Sequence, residues 1–426
     1  MASASTPTTI TNWSRNQCFT ASIIAHPKTL TELSQLVSES SRVKALGSGH
    51  SFNTSADPED GLLVCLDALE GSAPVIDNAA GLVRVGAGVT YSTLADSLRG
   101  GQWALHNMAS LPHISVGGAI ATATHGSGVT LGSLSSAVRS LEIVTADGSV
   151  KEFVGREART ASVHLGALGV VTRVTLELIA AKDFRQHVYE RLGWERALND
   201  LDTVLSAATS VSLFTSWAAP LCFDLVWRKS ADGELPNGGV APSEWLGATL
   251  ADSQRHPCGV DAAPCTEQGG VLGSWADRLP HFRSTFTPSI GDELQSEYFI
   301  GRVDAPAALR ALAPLAQEIA PLVFITEVRS IKRDDDAPLS MHADRETVAI
   351  HFTWRPLNAQ VEAMLPRIEA ALAPFYGRPH WGKLFTMDAT AIARVYPRLS
   401  EFVALRRKLD PTNKFVNDYI KRAGLV

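Results

Sequence analysis

Cysteine is scarce in this chain, with 5 among 426 residues, and the spacing offers no Cys-x-x-Cys pair. The odd number and wide spacing exclude a disulfide framework and a structural zinc site, and point to a reducing, cytoplasmic setting. Basic clusters are missing as well: Lys plus Arg number 38 against 44 Asp plus Glu, a net charge of −6. Nucleic acid is therefore not an expected partner, because nothing supplies the positive footprint that a phosphate backbone needs. Residues 100–138 lack any Asp, Glu, Lys or Arg, yet 22 of those 39 residues are Gly, Ala, Ser or Thr. That stretch is too polar and glycine-broken to span a membrane, and no membrane association is expected. The first thirty residues carry no basic region followed by an apolar stretch, so no leader is expected. No repeat occurs at solenoid or propeller periods. What is present is ordinary globular composition, 45% hydrophobic and 19% charged, over a length that predicts two or three domains.

The N-terminal part reads as alternating short strands and helices. Strands are predicted at 42–46, 62–66 and 82–85, and a helix at 91–98 with Thr90 as its N-cap. Leu141 to Thr145, the Asp147-Gly148 turn and Val150 to Val154 predict a hairpin, followed by a long strand over 169–178. From about residue 181 to 290 the chain reads as Trp-, Pro- and loop-rich. Beyond it come a strand (298–303), a helix (306–319), strands (323–331 and 348–354), and helices (358–372 and 399–409). This order predicts an α+β fold with an antiparallel or mixed sheet flanked by helices.

Gly47-Ser48-Gly49-His50-Ser51-Phe52 follows a strand, but Phe52 stands where a dinucleotide fingerprint needs its third glycine, and no P-loop lysine is present. A second glycine-rich stretch runs from Ser110 through Ser115, Gly117-Gly118 and Thr122-Ala123-Thr124-His125. Small residues in succession expose backbone N–H groups and short hydroxyls that can cradle a pyrophosphate without a basic side chain. Together with Gly169-Val170-Val171-Thr172, these segments resemble the PCMH-type FAD-binding domain of the vanillyl-alcohol-oxidase superfamily. Glu327-x-Arg329, His351-Phe352-Thr353-Trp354 and Pro379-His380-Trp381-Gly382-Lys383 resemble its alditol oxidase branch, which includes xylitol and sorbitol oxidases.

The resemblance covers nearly the whole chain. It implies FAD joined covalently through its 8α position to His50, with Ala45, Leu46, Gly47, Ser48, Gly49, Ser51, Ser110, Ser115, Gly118, Thr122, Ala123, Thr124, His125, Val171 and His380 as further cofactor contacts. It implies a FAD-binding domain over 1–181, a substrate domain over 182–386, and a C-terminal return over 387–426.

Strand alternation places Glu327 and Arg329 on one face of 323–331, and His351 and Thr353 on one face of 348–354. Oxidising an alcohol requires a base for the hydroxyl proton as hydride leaves for the flavin, and His351 is the base predicted here. Arg329 would stabilise the developing alkoxide, Glu327 would accept from neighbouring hydroxyls, and Lys383 would place positive charge beside the flavin. Ser110 and Thr353 complete the expected polyol contacts. The expected reaction is oxidation of a terminal CH–OH of an acyclic polyol, with O2 reduced to hydrogen peroxide, by a monomeric enzyme that uses no metal. An aldonolactone oxidoreductase and a flavin carrier without turnover are the alternatives. His106, His113 and Asp334-Asp335-Asp336 read as loop or packing residues rather than ligands.

Overall fold

The computed structural model describes residues 10–286 and 292–426. Near the N-terminus, Ile23–Ala25, Leu62–Cys65 and Val43–Leu46 form a parallel sheet in that spatial order. Helix Leu30–Glu39 starts where Thr29 accepts a hydrogen bond from the Glu32 N–H, the capping geometry that short hydroxyl side chains favour. A second, antiparallel sheet is ordered Val150–Val154, Val138–Val144, Val170–Glu177, Leu82–Gly86 and Val75–Asp77. Its hairpin turns at Asp147-Gly148, with Gly148 at φ +81°. Helix Tyr91–Leu98 begins at the predicted Thr90 cap and buries Tyr91, Leu94, Ala95 and Leu98 in the core shared by both sheets.

The rest is organised by one wide antiparallel sheet of ten strands, which resolves the choice between antiparallel and mixed. Three of its long members, Asp183–Gly193, Ser210–Thr215 and Cys222–Ala231, lie in the stretch read as loop-rich, and residues 287–290 of that stretch fall outside the described residues. Ser210–Thr215 is buried at every position, so it lacks the one-sided alternation that marks a strand in sequence. Beside these run Val323–Ile331, Thr347–Trp354 and Leu294–Gly301. The last begins four residues earlier than the predicted strand at 298. The helix expected over 306–319 is interrupted: Ala305–Leu312 passes into a 3-10 turn at Ala313–Leu315 and resumes as Ala316–Ile319. Pro314 accounts for the break, since it has no N–H to donate to the helix ladder. Helix Asn358–Leu372 and strand Val323–Ile331 occupy their predicted spans.

Alternation along the central strands separates two jobs. Val348, Ile350, Phe352 and Trp354 are fully buried in the apolar core with Leu309, Val361 and Ile368 of the helices. The opposite face carries Glu297, His351 and Glu327 side by side, because the register pairs Glu297 with His351 and His351 with Glu327. The C-terminal segment packs back on the N-terminal part. Lys414 Nζ donates to Val37 O and Ser38 O, and Asn417 donates to the carbonyls of Thr54, Ser55 and Asp57. Among the described residues, no helix is long and apolar enough to cross a membrane.

Candidate active site

A cavity of about 810 Å³ is lined at once by the glycine turn and by the polar face of the wide sheet. Every cofactor contact expected from the sequence lines it except Ala123. That residue is fully buried behind the wall, where its φ of +53° turns the chain. Ser110, Glu327, Arg329, His351, Thr353 and Lys383 line the same cavity.

The glycine turn is shaped for close approach. A Cβ on Gly47 would lie 2.2 Å from Ser115 Oγ, and Gly49 takes φ +69°, a conformation that glycine adopts without strain. His50 stacks on Trp13 with ring centroids 4.7 Å apart. Burial, with a smaller contribution from His113, lowers its pKa to about 4, so the imidazole is neutral at physiological pH. The turn is tied to the Lys383 loop by Phe52 N–H donating to Gly382 O (2.7 Å) and Asn53 Nδ2 donating to Trp381 O and Lys383 O (2.8 and 2.9 Å). Backbone N–H groups and Ser and Thr hydroxyls with room for a long ligand fit a dinucleotide such as FAD.

At the other end, Glu297 is the centre of an ionic cluster. It is completely buried, with Lys383 Nζ at 2.6 Å, Arg329 Nη2 at 3.0 Å, His125 Nε2 at 3.3 Å and His351 Nδ1 at 3.5 Å. Burial alone would raise its pKa; the charges of Lys383, His125 and Arg329 outweigh that and hold it well below the usual carboxylate range. Glu327 is held low in the same way, burial being overcome by Arg329 and His281. Arg329 Nη1 donates to Ser110 Oγ (3.2 Å), which brings that serine into the cluster. His351 Nδ1 lies 2.5 Å from Lys383 Nζ and its Nε2 lies 3.0 Å from Thr353 Oγ1. Burial and then Lys383 lower the His351 pKa to about 4.

Glu297 and His281 were not found from the sequence. Glu297 falls just outside the predicted strand; extending the period-2 pattern back from Phe299 would have put it on the His351 face. His281 lies in an irregular segment and left no signal. Ligand atoms of His125, Glu297 and His380 lie within 4.8 Å of one another. The two oxygens of Glu297 already face Arg329 and Lys383, whose charges would repel a metal ion. His106 and His113 bond to the Ser133 and Ser284 carbonyls, respectively, as packing residues do.

These shifts predict an acid-sensitive fold. His50, His281 and His351 each have a pKa of about 4 in the folded state against 6.5 ordinarily. Between those values the unfolded chain takes up protons that the folded one refuses, so stability falls as pH drops from about 6.5 towards 4. The depressed carboxylates Glu297 and Glu327 add their loss only below about 4.5. Thermal unfolding should therefore show a midpoint that declines between pH 7 and pH 5, and His281→Phe should flatten that decline.

Two family models match the chain: "FAD binding domain" over residues 21–153 and "D-arabinono-1,4-lactone oxidase" over 292–423. The alditol oxidase of Streptomyces sp. is 46% identical over 97% of this chain and 98% of that protein. The L-gulono-1,4-lactone dehydrogenase of Mycobacterium tuberculosis is 29% identical over 96% of this chain and 98% of that protein. Cholesterol oxidase of Brevibacterium sterolicum shares the fold with a TM-score of 0.77 at 14% identity, over 97% of this chain and 96% of that one. A FAD-binding domain joined to a second domain, a cavity running between the glycine turn and the ionic cluster, and near-complete coverage by the alditol oxidase match lead to one conclusion: the chain belongs to the alditol oxidase family of FAD-dependent oxidoreductases.

Proposed function

We propose that this protein oxidises the terminal CH–OH of acyclic polyols such as xylitol and sorbitol to the aldose, with O2 reduced to hydrogen peroxide. The observation that carries this reading is the cavity wall itself. Ser110, Thr353, Glu327, Arg329, His351 and Lys383 offer donors and acceptors together at one end, beyond the His50 turn. FAD when bound supplies hydride acceptance and reoxidation by O2. In this reading the chain divides at about residue 182, with 387–426 returning to the FAD domain.

The chain's own contribution is proton handling and charge. An imidazole with a pKa of about 4 is a weak base on its own. Beside burial, Lys383, 2.5 Å from Nδ1, contributes to that lowering, and the Glu297 carboxylate opposes it. With the ring proton on Nδ1, 3.5 Å from Glu297 Oε2, Nε2 is left to accept the substrate hydroxyl proton. Glu297, 2.6 Å from Lys383 Nζ and 3.5 Å from Nδ1, offsets both the Lys383 ammonium and the imidazolium formed. Arg329 stabilises the developing alkoxide, and Glu327 accepts from a neighbouring hydroxyl.

A neutral polyol gives no charge to grip, so affinity accumulates over several hydrogen bonds of about 0.5–1.5 kcal/mol each. Glycerol should therefore show a far lower kcat/KM than xylitol or sorbitol, and equal values would overturn the reading. The aldonolactone alternative is favoured by the family model over 292–423. Higher kcat/KM for gulono-lactone than for xylitol would select it, and a flavin bleached by neither substrate would indicate a carrier without turnover.

We infer further that the flavin is bound covalently to His50, whose neutral imidazole is held against the cavity by Trp13. Acid precipitation should leave the yellow colour in the pellet, and release of the flavin to the supernatant would exclude the bond.

A further inference from the structure

Glu327 presents two oxygens that have different surroundings. Oε1 is 2.7 Å from His281 Nε2 and 3.5 Å from Arg329 Nε. Among the described residues no hydrogen bond is made to Oε2, and the side chain lines the cavity. The division depends on His281, which is buried between the rings of Phe214 and Trp227, with centroids at 5.8 and 5.0 Å.

The other nitrogen of that imidazole, Nδ1, lies 3.1 Å from Lys229 Nζ. Lys229 comes from strand Cys222–Ala231 and is 1% exposed. Its ammonium donates to Leu279 O at 2.6 Å and Pro280 O at 2.8 Å. Burial lowers the Lys229 pKa to about 7 while the Glu327 charge opposes it; in the ammonium form, with two protons committed to carbonyls, the third is left for His281 Nδ1. An imidazole nitrogen that accepts cannot also carry the ring proton, so that proton sits on Nε2, facing the Glu327 carboxylate. Ser212 Oγ, 3.4 Å from Nε2, is a neutral neighbour that leaves this assignment unchanged.

We propose that Lys229 is a positioning residue for substrate recognition: by donating to His281 Nδ1 it fixes His281 as an Nε2–H donor, which holds Glu327 Oε1 and leaves Oε2 to accept a substrate hydroxyl. Without Lys229 the ring proton is free to move to Nδ1. A bare nitrogen lone pair then faces the carboxylate, and Glu327 turns away from its substrate-accepting position. Lys229 touches neither substrate nor cofactor and acts only through the ring between them. The proposal rests on the polyol reading of the cavity, and its test separates the two.

The test uses FAD-loaded wild type, K229M, H281F and the double variant, with K229Q as a second variant that retains an N–H donor. Each of K229M and H281F should lower kcat/KM for xylitol about ten- to a hundredfold, the scale of a lost hydrogen bond to a charged group. The loss should fall mainly on KM, with kcat changed less. The double variant should lose no more than H281F alone, because Lys229 has nothing left to act through. In [15N]histidine-labelled wild type, the His281 resonance, assigned by its absence from H281F, should show the Nε2–H tautomer. That signature should be lost in K229M and retained in K229Q. Additive losses in the double variant, or an Nδ1–H tautomer in the wild type, would overturn the proposal even if K229M fails to fold. Absence of polyol turnover by a wild type that shows the Nε2–H signature would instead sink the polyol reading and leave the Lys229–His281 arrangement standing.

Discussion

Glu297→Gln is expected to destabilise the protein by about 3–5 kcal/mol, the cost of breaking a buried ion cluster by removing one partner. The carboxylate is 0% exposed and faces Lys383, Arg329, His125 and His351 within 3.5 Å. Glutamine keeps the shape but leaves Lys383 without its counter-charge and Arg329 with Glu327 alone, at positions almost closed to water. Urea unfolding at pH 7 measures the loss directly. The exposed Arg310–Glu195 pair, at 2.8 Å with both side chains well solvated, provides the contrast: Glu195→Gln should leave the midpoint unchanged. If both substitutions behaved alike, the cluster around Glu297 would contribute no more than surface charge.

Lys383→Met is expected to slow anaerobic reduction of the flavin by xylitol about 10²–10³-fold while changing xylitol binding much less, since removal of one preorganised charge from a transition state costs on this scale. Two roles are lost together. His351 Nδ1 loses the neighbour 2.5 Å away that holds the ring in place, and the region where negative charge gathers loses its cation. Stopped-flow reduction over a range of xylitol concentrations separates the limiting rate from the half-saturation constant. A raised half-saturation constant with an unchanged limiting rate would make Lys383 a substrate contact only. Because Lys383 also balances Glu297, unfolding of the variant should be measured alongside, and flavin retention reports whether the cradle is intact.

How far the sequence revealed this arrangement differed between its parts. Helix Asn358–Leu372 could be read to the residue because Val361, Leu365, Ile368 and Leu372 follow one period, and strand Val323–Ile331 because Pro321 and the charged run from Lys332 bound it. The polar face built from Glu327, Arg329, His351 and Thr353 was legible by alternation alone, since neighbouring strands in register bring like faces together. Cys222–Ala231 was not legible: Arg228 and Lys229 sit in mid-strand and look like surface residues. In the structure Lys229 is buried against carbonyls fifty residues away, and no local pattern encodes that. Glu297 was missed by a strand boundary set four residues late, at 298 instead of Leu294, the least reliable feature of periodicity. The glycine turn was legible as a close approach, but the residues it approaches, Ser115 and the 380–383 loop, are distant in sequence.

The ties between the His50 turn and the late segments impose an order in time. Phe52 and Asn53 are anchored by residues 381–383, and Lys44 and the 54–57 turn by Phe415 and Asn417. During synthesis the turn emerges first and waits for partners more than three hundred residues behind it, roughly 20–70 s at ribosomal speeds. A nascent chain cannot present the finished flavin cradle, so cofactor loading belongs after release from the ribosome. Synthesis stalled before residue 417 should yield a colourless chain even where flavin is abundant.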